Sequence, residues 1–473
     1  MFTMSFLPVF LWTDILIYLL LAVVMLAVFY IRGQTHLVTP WRAVLKRKRG
    51  VISITILLCY VAIGLLDSIH FRQALDVNKE GDQQHYATEV LSLLDLAVMP
   101  LKQQSEKTYS EPFATRLFVR EMQQSDDAVG VNFDYPKLVY GGRHLVDESD
   151  KWADIKSSLS ESSLVSLKVW LLLTVIMVLY GAYRQKQDVS NTFKAITLGK
   201  TAYPIRTFLF MLALILWSFF ALSTLSADYH VLGTDKVGQD VLYQSLKSVR
   251  TGLVIGTLTT IVMLPLALSM GIAAGYFRGW IDDVIQYIYT TLNSIPGVLL
   301  IAAAVLMLQV YMNNHPENFS TIAERADLRL LFLCIILGMT SWTGLCRILR
   351  AETLKLREAE YVLAARSLGA SKLSILHRHI LPNLMHIVMI SIVLDFSGLV
   401  LAEAVLSYVG VGVDPSMISW GNMINSARLE MARDPIVWWS LAAAFFSMFV
   451  LVLAANLFAD VVRDAFDPRV QNN

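Results

Sequence analysis

Charged residues are scarce in this chain. Of its 473 residues only 16% are Asp, Glu, Lys or Arg, whereas 55% are hydrophobic, and soluble domains average about a quarter charged residues. The 39 basic and 38 acidic residues leave a formal charge of +1, which provides no electrostatic footprint for nucleic acid. The composition therefore argues against a water-soluble globule and against a nucleic-acid-binding protein.

The sequence also lacks the residue patterns of an enzyme. Its three cysteines, Cys59, Cys334 and Cys346, lie in apolar runs without zinc or disulfide spacing, and the histidines show no metal-ligand spacing. No phosphate-binding loop is present, because the nearest string, residues 198–201, has Lys194 where the first glycine belongs. No nucleophile–histidine arrangement stands out. We predict no catalytic site, no metal site and no cofactor, so this chain does not hydrolyse ATP itself.

Long apolar blocks dominate what is present. A helix crosses the bilayer core of about 30 Å with about 20 mainly apolar residues. Nine blocks meet this requirement, at residues 13–31, 51–66, 164–183, 205–224, 251–277, 284–311, 328–345, 384–409 and 436–462. The sequence predicts an all-α polytopic membrane protein with about nine transmembrane helices.

Basic residues in short loops predict the orientation, because such loops stay on the cytoplasmic side. The loop after the first block contains Arg42 and the basic run 46–49, and alternation then places Arg347 and Arg463 on the same side, with Arg469 beyond. We therefore expect a bacterial inner-membrane protein with a periplasmic N-terminus and a cytoplasmic C-terminus. The first block lacks a basic leader and a small-residue cleavage site, which predicts a retained helix.

One loop on the outer side is large. Residues 67–165 contain 17 acidic and 10 basic residues, a composition typical of a small soluble domain. Within it, 86–101 has an amphipathic helical pattern, and 131–140 alternates like a strand before Gly141 and Gly142. We predict a small α+β periplasmic domain, which acts either as a structural cap or docking surface or as a ligand sensor.

A second informative stretch lies between the seventh and eighth blocks. Residues 351–368 contain no Pro or Gly, and Gly369 follows where a left-handed helix C-cap is wanted. Ser371 is placed to cap a second short helix that ends before Pro382. The pattern predicts two helices, joined at a glycine, that protrude into the cytoplasm.

This stretch resembles the EAA coupling loop of ATP-binding-cassette (ABC) importer permeases through Ala364, Ala365 and Gly369 together with the Leu-Pro at 381–382. Leu363 stands where that family pattern has Glu, and His379 stands where it has Ile. The resemblance implies a surface for ATPase coupling formed by Glu358, Glu360, Tyr361, Ala364, Ala365, Gly369, Ala370 and Ser371.

Four further segments resemble the dipeptide, oligopeptide and nickel permeases of the same family, in order and spacing. They read HVLGTDKVGQDV (230–241), AAGYFRGWIDD (273–283), LNSIPGVLL (292–300) and LAEAVLSYVGVGVDPSMISWGNMI (401–424). The resemblance, to the second or C-type permease subunit, implies an importer of peptides or related small solutes. It also implies a second permease subunit, two ATPase subunits that hold ATP and Mg, and a periplasmic substrate-binding protein as partners.

The sequence and the resemblance together predict four regions. Residues 1–66 form two transmembrane helices with a basic cytoplasmic loop, 67–165 the periplasmic domain, and 166–228 two further transmembrane helices with a cytoplasmic loop. Residues 229–473 form the permease core, with the coupling loop at 351–382.

Buried ionisable groups are candidates for a substrate pathway. Asp395, near the middle of the eighth block, either lines a polar path for a peptide amino group or is satisfied by Ser391 or Ser397. Glu403 is a candidate at the outer gate, and Trp420 is either a membrane-interface anchor or borders the vestibule. The alternatives to an ABC permease are an ion-coupled secondary transporter and a membrane sensor that uses the periplasmic domain.

Overall fold

The computed structural model describes residues 6–75, 86–124, 131–318 and 321–466. Two parts of the predicted periplasmic domain, 76–85 and 125–130, lie outside these residues, and so does Arg469. In chain order the helices are α1 (Trp12–Arg32), α2 (Thr35–Lys46), α3 (Lys48–Asp67), α4 (Leu93–Ala97), α5 (Met99–Gln103), α6 (Lys151–Gln185), α7 (Val189–Thr197), α8 (Ile205–Asp228), α9 (Val241–Phe277), α10 (Trp280–Ser294), α11 (Gly297–Asn314), α12 (Ile322–Arg357), α13 (Glu360–Ser367), α14 (Lys372–Ile375), α15 (Leu381–Tyr408), α16 (Trp420–Glu430) and α17 (Trp439–Phe466).

Within the described residues, nine helical segments are long and apolar enough to cross a membrane. They contain α1, α3, α6, α8, α9, α11, α12, α15 and α17. The predicted all-α polytopic fold with about nine transmembrane helices is confirmed. Several helices extend past their apolar blocks, because polar residues continue the same backbone hydrogen bonding; α6, for example, begins at Lys151.

The predicted span at 284–311 is not one helix. Helix α10 ends at Ser294, Ile295 is extended, and Pro296 precedes the first residue of α11. A proline inside a helix lacks the N–H for the i−4 hydrogen bond and clashes with that carbonyl, so Pro296 separates the two helices. The sixth membrane-spanning helix is α11 alone.

The described residues include five short strands. They are Phe6–Val9 (β1), His70–Gln73 (β2), Leu91–Ser92 (β3), Glu121–Gln124 (β4) and Val131–Asp134 (β5). Strand β2 pairs antiparallel with β3, with Phe71 opposite Leu91, and β4 pairs antiparallel with β5, with Met122 opposite Phe133. Strands β2 to β5 and the short helices α4 and α5, which lie between residues 70 and 134, are the α+β part of the chain.

Both predicted elements of the outer loop are shorter in the structure. The helix predicted at 86–101 begins only at Leu93, because Ser92 and Asp95 form a reciprocal capping box that starts α4. The strand predicted at 131–140 ends at Asp134, two residues before Pro136, which has no N–H to donate to a strand ladder.

The chain forms two compact units. The first unit contains Met1–Trp41, Arg250–Met417 and Ala455–Asn473, and the second unit contains Arg42–Val249 and Ile418–Ala454. A core of the first unit lies among α9, α10, α12 and α15 and includes the fully buried side chains of Ala267, Ala274, Cys346, Leu349, Ile380 and Leu384. The predicted boundaries at 66, 165 and 228 stay a prediction.

Close packing of α9 on α12 needs a residue without a side chain. A Cβ atom at Gly275 would lie 2.8 Å from the carbonyl oxygen of Arg350 and 2.5 Å from Cβ of Thr353. Small residues allow such approach between membrane helices. The contact places the end of α12 directly against the end of α9.

In the second unit, the segment between α8 and α9 holds the α+β part in place. The backbone N–H of Glu106 donates to the Gly238 carbonyl, and the Thr234 hydroxyl donates to the Thr108 carbonyl at 2.9 Å. The N–H of Phe113 donates to the His230 carbonyl. Residues 106–113 therefore pack on the HVLGTD segment through its backbone.

A buried charge cluster completes this junction. His230 Nδ1 lies 2.8 Å from Asp240 Oδ2, and His230 Nε2 lies 3.5 Å from Glu106 Oε1. Burial lowers the pKa of His230, but the two carboxylates outweigh it and raise the pKa to about 9. Asp240 also accepts hydrogen bonds from the N–H groups of Leu242 and Tyr243 and so caps α9.

We predict that replacing His230 by Gln destabilises the folded protein and weakens the pH dependence of its folding stability. The pKa of His230 in the folded protein, about 9, exceeds the ordinary histidine pKa of 6.5, so the stabilisation it contributes is complete below pH 6.5 and is lost as pH rises through 9. Removing one partner of a buried charge cluster costs about 3–5 kcal/mol. Thermal unfolding in detergent across this pH range measures both effects. His377→Gln, at an exposed histidine, is the control, and equal pH profiles for the wild type and His230→Gln would contradict the assignment.

Candidate functional site

The predicted loop at 351–382 is built from three helical pieces. Helix α12 continues to Arg357, Glu358 and Ala359 interrupt it, and α13 begins at Glu360. The single helix predicted at 351–368 is therefore wrong at 358–359. Nothing in local propensity breaks the helix there. The interruption coincides with long-range contacts, since Arg357 donates to the Tyr276 carbonyl at 3.0 Å.

The turn after α13 is the one predicted from Gly369. This glycine has φ of 80°, its N–H donates to the Arg366 carbonyl, and the N–H of Ala370 donates to the Ala365 carbonyl. These two bonds form a Schellman motif, in which the left-handed residue is usually glycine. The predicted conformation of Gly369 is confirmed.

The second short helix begins as predicted but does not stop before Pro382. The Ser371 hydroxyl accepts the N–H of Ser374 and caps α14. A π turn at Leu376–Ile380 follows, and α15 starts at Leu381 with Pro382 in its first turn. Proline is tolerated there because first-turn N–H groups need no intrahelical partner. The chain thus enters the membrane helix without a break.

One face of this coupling loop is anchored in the core of the first unit. Val362 of α13, Ile375 of α14 and Ile380 of the π turn are buried with Ile285 and Tyr289 of α10. Each buried aliphatic side chain contributes about 1.5–3 kcal/mol of hydrophobic free energy. The loop is therefore held against the helices on which it packs.

The opposite face is open and partly apolar. Leu368 is 88% exposed and Leu373 is 77% exposed. Of the sequence-predicted coupling residues, Glu358, Glu360, Tyr361, Ala364, Gly369 and Ser371 are exposed, and Ala365 and Ala370 are half-buried. Exposed large apolar residues around a small-residue surface are typical of protein interaction sites. The sequence analysis missed Leu368 and Leu373, although leucines flanking a helix-ending glycine were a usable signal.

Two acids near the start of α13 have different surroundings. Glu358 Oε1 lies 3.0 Å from Arg278 Nη2, so Glu358 ties the loop to the segment between α9 and α10. Glu360 is exposed and, within the described residues, has no ion-pair or hydrogen-bond partner for its carboxylate. Glu360 is thus the acid available to another protein.

A second ion pair fixes the base of the coupling loop. Arg350 donates from Nε and Nη2 to the two oxygens of Asp282 at 2.6 and 2.7 Å. This bidentate geometry is the strong form of an arginine–carboxylate pair. The hydrogen bond from Arg350 holds the pKa of Asp282 below its usual value. The AAGYFRGWIDD segment therefore supplies both acceptor and donor contacts to the loop, through Asp282 and Arg278.

The three predicted pathway residues are not brought together. Asp395 lines an open cleft of about 550 Å³ between α12 and α15, with Arg347, Ser341 and Ser391 also in the lining. Ser397 does not satisfy Asp395, because its hydroxyl donates to Asn456 Oδ1 at 2.8 Å.

Glu403 and Trp420 are buried. Glu403 is 2% exposed and accepts a hydrogen bond from the Ser407 hydroxyl at 2.8 Å. Trp420 is 1% exposed and meets the Tyr60 ring edge-on. A membrane-interface anchor has to reach the surface, so that role for Trp420 is wrong.

Known proteins match the part of the chain that contains this loop. Residues 267–472 match the family described as binding-protein-dependent transport system inner membrane component. A glutathione transport system permease protein of Pectobacterium atrosepticum is 32% identical over 245 residues, which cover 51% of this chain and 74% of that protein. An oligopeptide transport system permease protein of Mycobacterium bovis is 32% identical over 50% of this chain and 76% of its own length. The chain is a member of this permease family.

This permease is a multi-pass inner-membrane protein and a subunit of a transport system. A dipeptide transport system permease protein of Lactococcus lactis is also similar, at 30% identity over 52% of this chain. About half of the permease lies outside each of these alignments. The resemblance to the dipeptide and oligopeptide permeases is confirmed.

We predict that Gly369→Val loosens the coupling loop, whereas Gly369→Asn largely preserves it. A Cβ atom at this position meets no atom within 4 Å, so the cost is conformational. A left-handed backbone costs about 1–2 kcal/mol for an ordinary L-residue and less for asparagine. Hydrogen exchange should show the Ala370 amide about 5–30 times less protected in the valine variant. Equal protection in the valine and asparagine variants would contradict the role of Gly369.

Proposed function

We propose that this permease is a pore-forming subunit of an ATP-driven ABC importer for peptides, either di- or oligopeptides or related small solutes. The observation that carries the proposal is the coupling loop, which is anchored on one face by Val362, Ile375 and Ile380 and exposes a small-residue surface on the other. The named substrates of the relatives, glutathione, oligopeptides and dipeptides, support the peptide class. A secondary transporter and a membrane sensor are not favoured, because the relatives are transport system permeases.

The proposed partners are a second permease subunit, two ATPase subunits and a periplasmic substrate-binding protein. The basic loops support a periplasmic N-terminus and a cytoplasmic C-terminus. In that orientation the coupling loop faces the cytoplasm, where the ATPases bind ATP and Mg, and the α+β domain at 67–165 faces the binding protein.

In the proposed mechanism, an ATPase grips the exposed face of the coupling loop. Ala364 and Gly369 allow close approach, Leu368 and Leu373 supply apolar contact area, and Glu360 orients the two proteins. Movement of the ATPases is transmitted because the loop is continuous with α15 and is tied to α10 through the Arg350–Asp282 pair. The helices then alternate the access of the pore between the two sides of the membrane.

We predict that Ala364→Arg uncouples transport from ATP hydrolysis. Ala364 is exposed, so the arginine leaves folding intact but prevents close approach to the ATPase. Substrate-stimulated ATP hydrolysis by the reconstituted complex should fall about tenfold, which corresponds to about 1.4 kcal/mol of lost coupling. Ser190→Arg, at an exposed position of α7, is the matched control. Normal stimulated hydrolysis in Ala364→Arg would overturn the docking role.

We further propose that the cleft between α12 and α15 forms part of the substrate path. Arg347 and Asp395 both line it, and neither has an ion-pair partner within the described residues. The volume of about 550 Å³ lies in the range of small-molecule sites. A zwitterionic peptide matches this lining, with its amino group toward Asp395 and its carboxylate toward Arg347. Glu403 and Trp420, both buried, are proposed to support the surrounding helices.

We predict that Asp395→Asn reduces uptake of a dipeptide with a free amino group about tenfold, or about 1.4 kcal/mol. Uptake of the N-acetylated dipeptide should not change, because that substrate carries no ammonium group. Ser391→Ala, in the same cleft, is the uncharged control. Radiolabelled uptake into proteoliposomes measures both substrates. An equal loss for both dipeptides would show that Asp395 acts on the fold and not on the substrate.

A further inference from the structure

A second cleft lies among α6, α7 and α8, outside the family-matched residues 267–472. It has a volume of about 830 Å³. Its lining is mainly apolar and aromatic, and Arg206 is the one charged residue in it. The proposed import mechanism does not use this cleft.

The length of the cleft is comparable to one leaflet of a bilayer. At 1.5 Å per residue, its lining extends about 16 Å along α8, from Arg206 to Trp217, and about 22 Å along α6, from Ser163 to Val178. One leaflet is about 15 Å of hydrocarbon core, or about 20–22 Å with its headgroup region. Both α6 and α8 belong to segments long and apolar enough to cross a membrane. The cleft thus extends from one end of α8 to about the middle of that helix.

The two indole N–H groups along the cleft already have acceptors within the protein. Trp170 Nε1 donates to the Leu209 carbonyl at 2.8 Å, and Trp217 Nε1 donates to the Ser163 hydroxyl at 3.0 Å. Both indoles thus need no further hydrogen-bond acceptor. The rest of the cleft wall is mainly apolar, and an apolar chain would cover it favourably.

Arg206, the charged residue of the cleft lining, needs a negatively charged partner. Arg206 is exposed, and no carboxylate lies within ion-pair distance of it in the described part of the chain. Lys194 of α7 and Lys200 of the α7–α8 loop add positive charge to the same connection. A guanidinium presents donors that match a phosphate.

We propose that this cleft binds one anionic phospholipid, with an acyl chain along Trp170 and Phe210 and the phosphate at Arg206. A lipid satisfies the apolar wall and the unpaired cation together. Its acyl chain also has the leaflet depth over which the cleft extends. Basic residues near a membrane surface favour anionic over zwitterionic lipids.

Photolabelling of the full-length protein in proteoliposomes tests the proposal. Phosphatidylglycerol and phosphatidylcholine analogues, each with a photoactivatable acyl chain, are compared by mapping the labelled peptides. We expect phosphatidylglycerol to label segments 163–178 and 206–217 preferentially. Arg206→Gln should lower this labelling about fivefold, whereas Lys194→Gln, which does not line the cleft, should lower it much less.

Ala213→Trp, which fills the cleft from α8, should reduce labelling by both analogues. Equal labelling by the two lipids in the wild-type protein would overturn the anionic assignment, even if Arg206→Gln fails to fold. If neither analogue labels segments 163–178 and 206–217 above the level of other membrane-exposed segments, the lipid assignment is overturned altogether.

Discussion

The packing of Val362, Ile375 and Ile380 against α10 is the interaction on which the proposed function depends. A loop that reached into water without this apolar anchor would transmit no force, because its motion would not move the membrane helices. The bidentate pair between Arg350 and Asp282 also restricts the orientation of α12 relative to α10, because both hydrogen bonds form only when the guanidinium and the carboxylate are aligned. The loop combines a rigid inner face with an open outer face.

The α+β part of the chain is also held by specific contacts. Residues 106–113 pair through their backbone with the segment that connects α8 and α9, and Glu106 shares the charge of His230 with Asp240. Glu106 is buried beside the start of α9. The α+β part is therefore joined to the rest of the second unit by buried charged contacts as well as by backbone hydrogen bonds.

Helix boundaries show where sequence reasoning succeeds and fails. Gly369 and Ser371 were placed correctly because left-handed backbone and helix capping depend on the residue and its nearest neighbours. The interruption at 358–359 was missed because it accompanies contacts of Arg357 and Glu358 with residues about 80 positions earlier. The division at Pro296 was readable in principle, because the sequence is amphipathic and more polar before this proline (residues 284–294) than after it (297–311).

Hydrophobic length and local motifs need no knowledge of the fold, so the amino-acid sequence alone was enough to predict the membrane class, the nine apolar helices found within the described residues and the order of the family-like segments. Packing was needed to establish that Glu358 is paired, that Glu360 has no partner among the described residues, and that Leu368 and Leu373 are exposed. It also decided that Asp395 lines a cleft whereas Glu403 and Trp420 are buried. Burial and pairing are properties of side chains brought together from distant parts of the chain, and local sequence carries no record of which helix will face which.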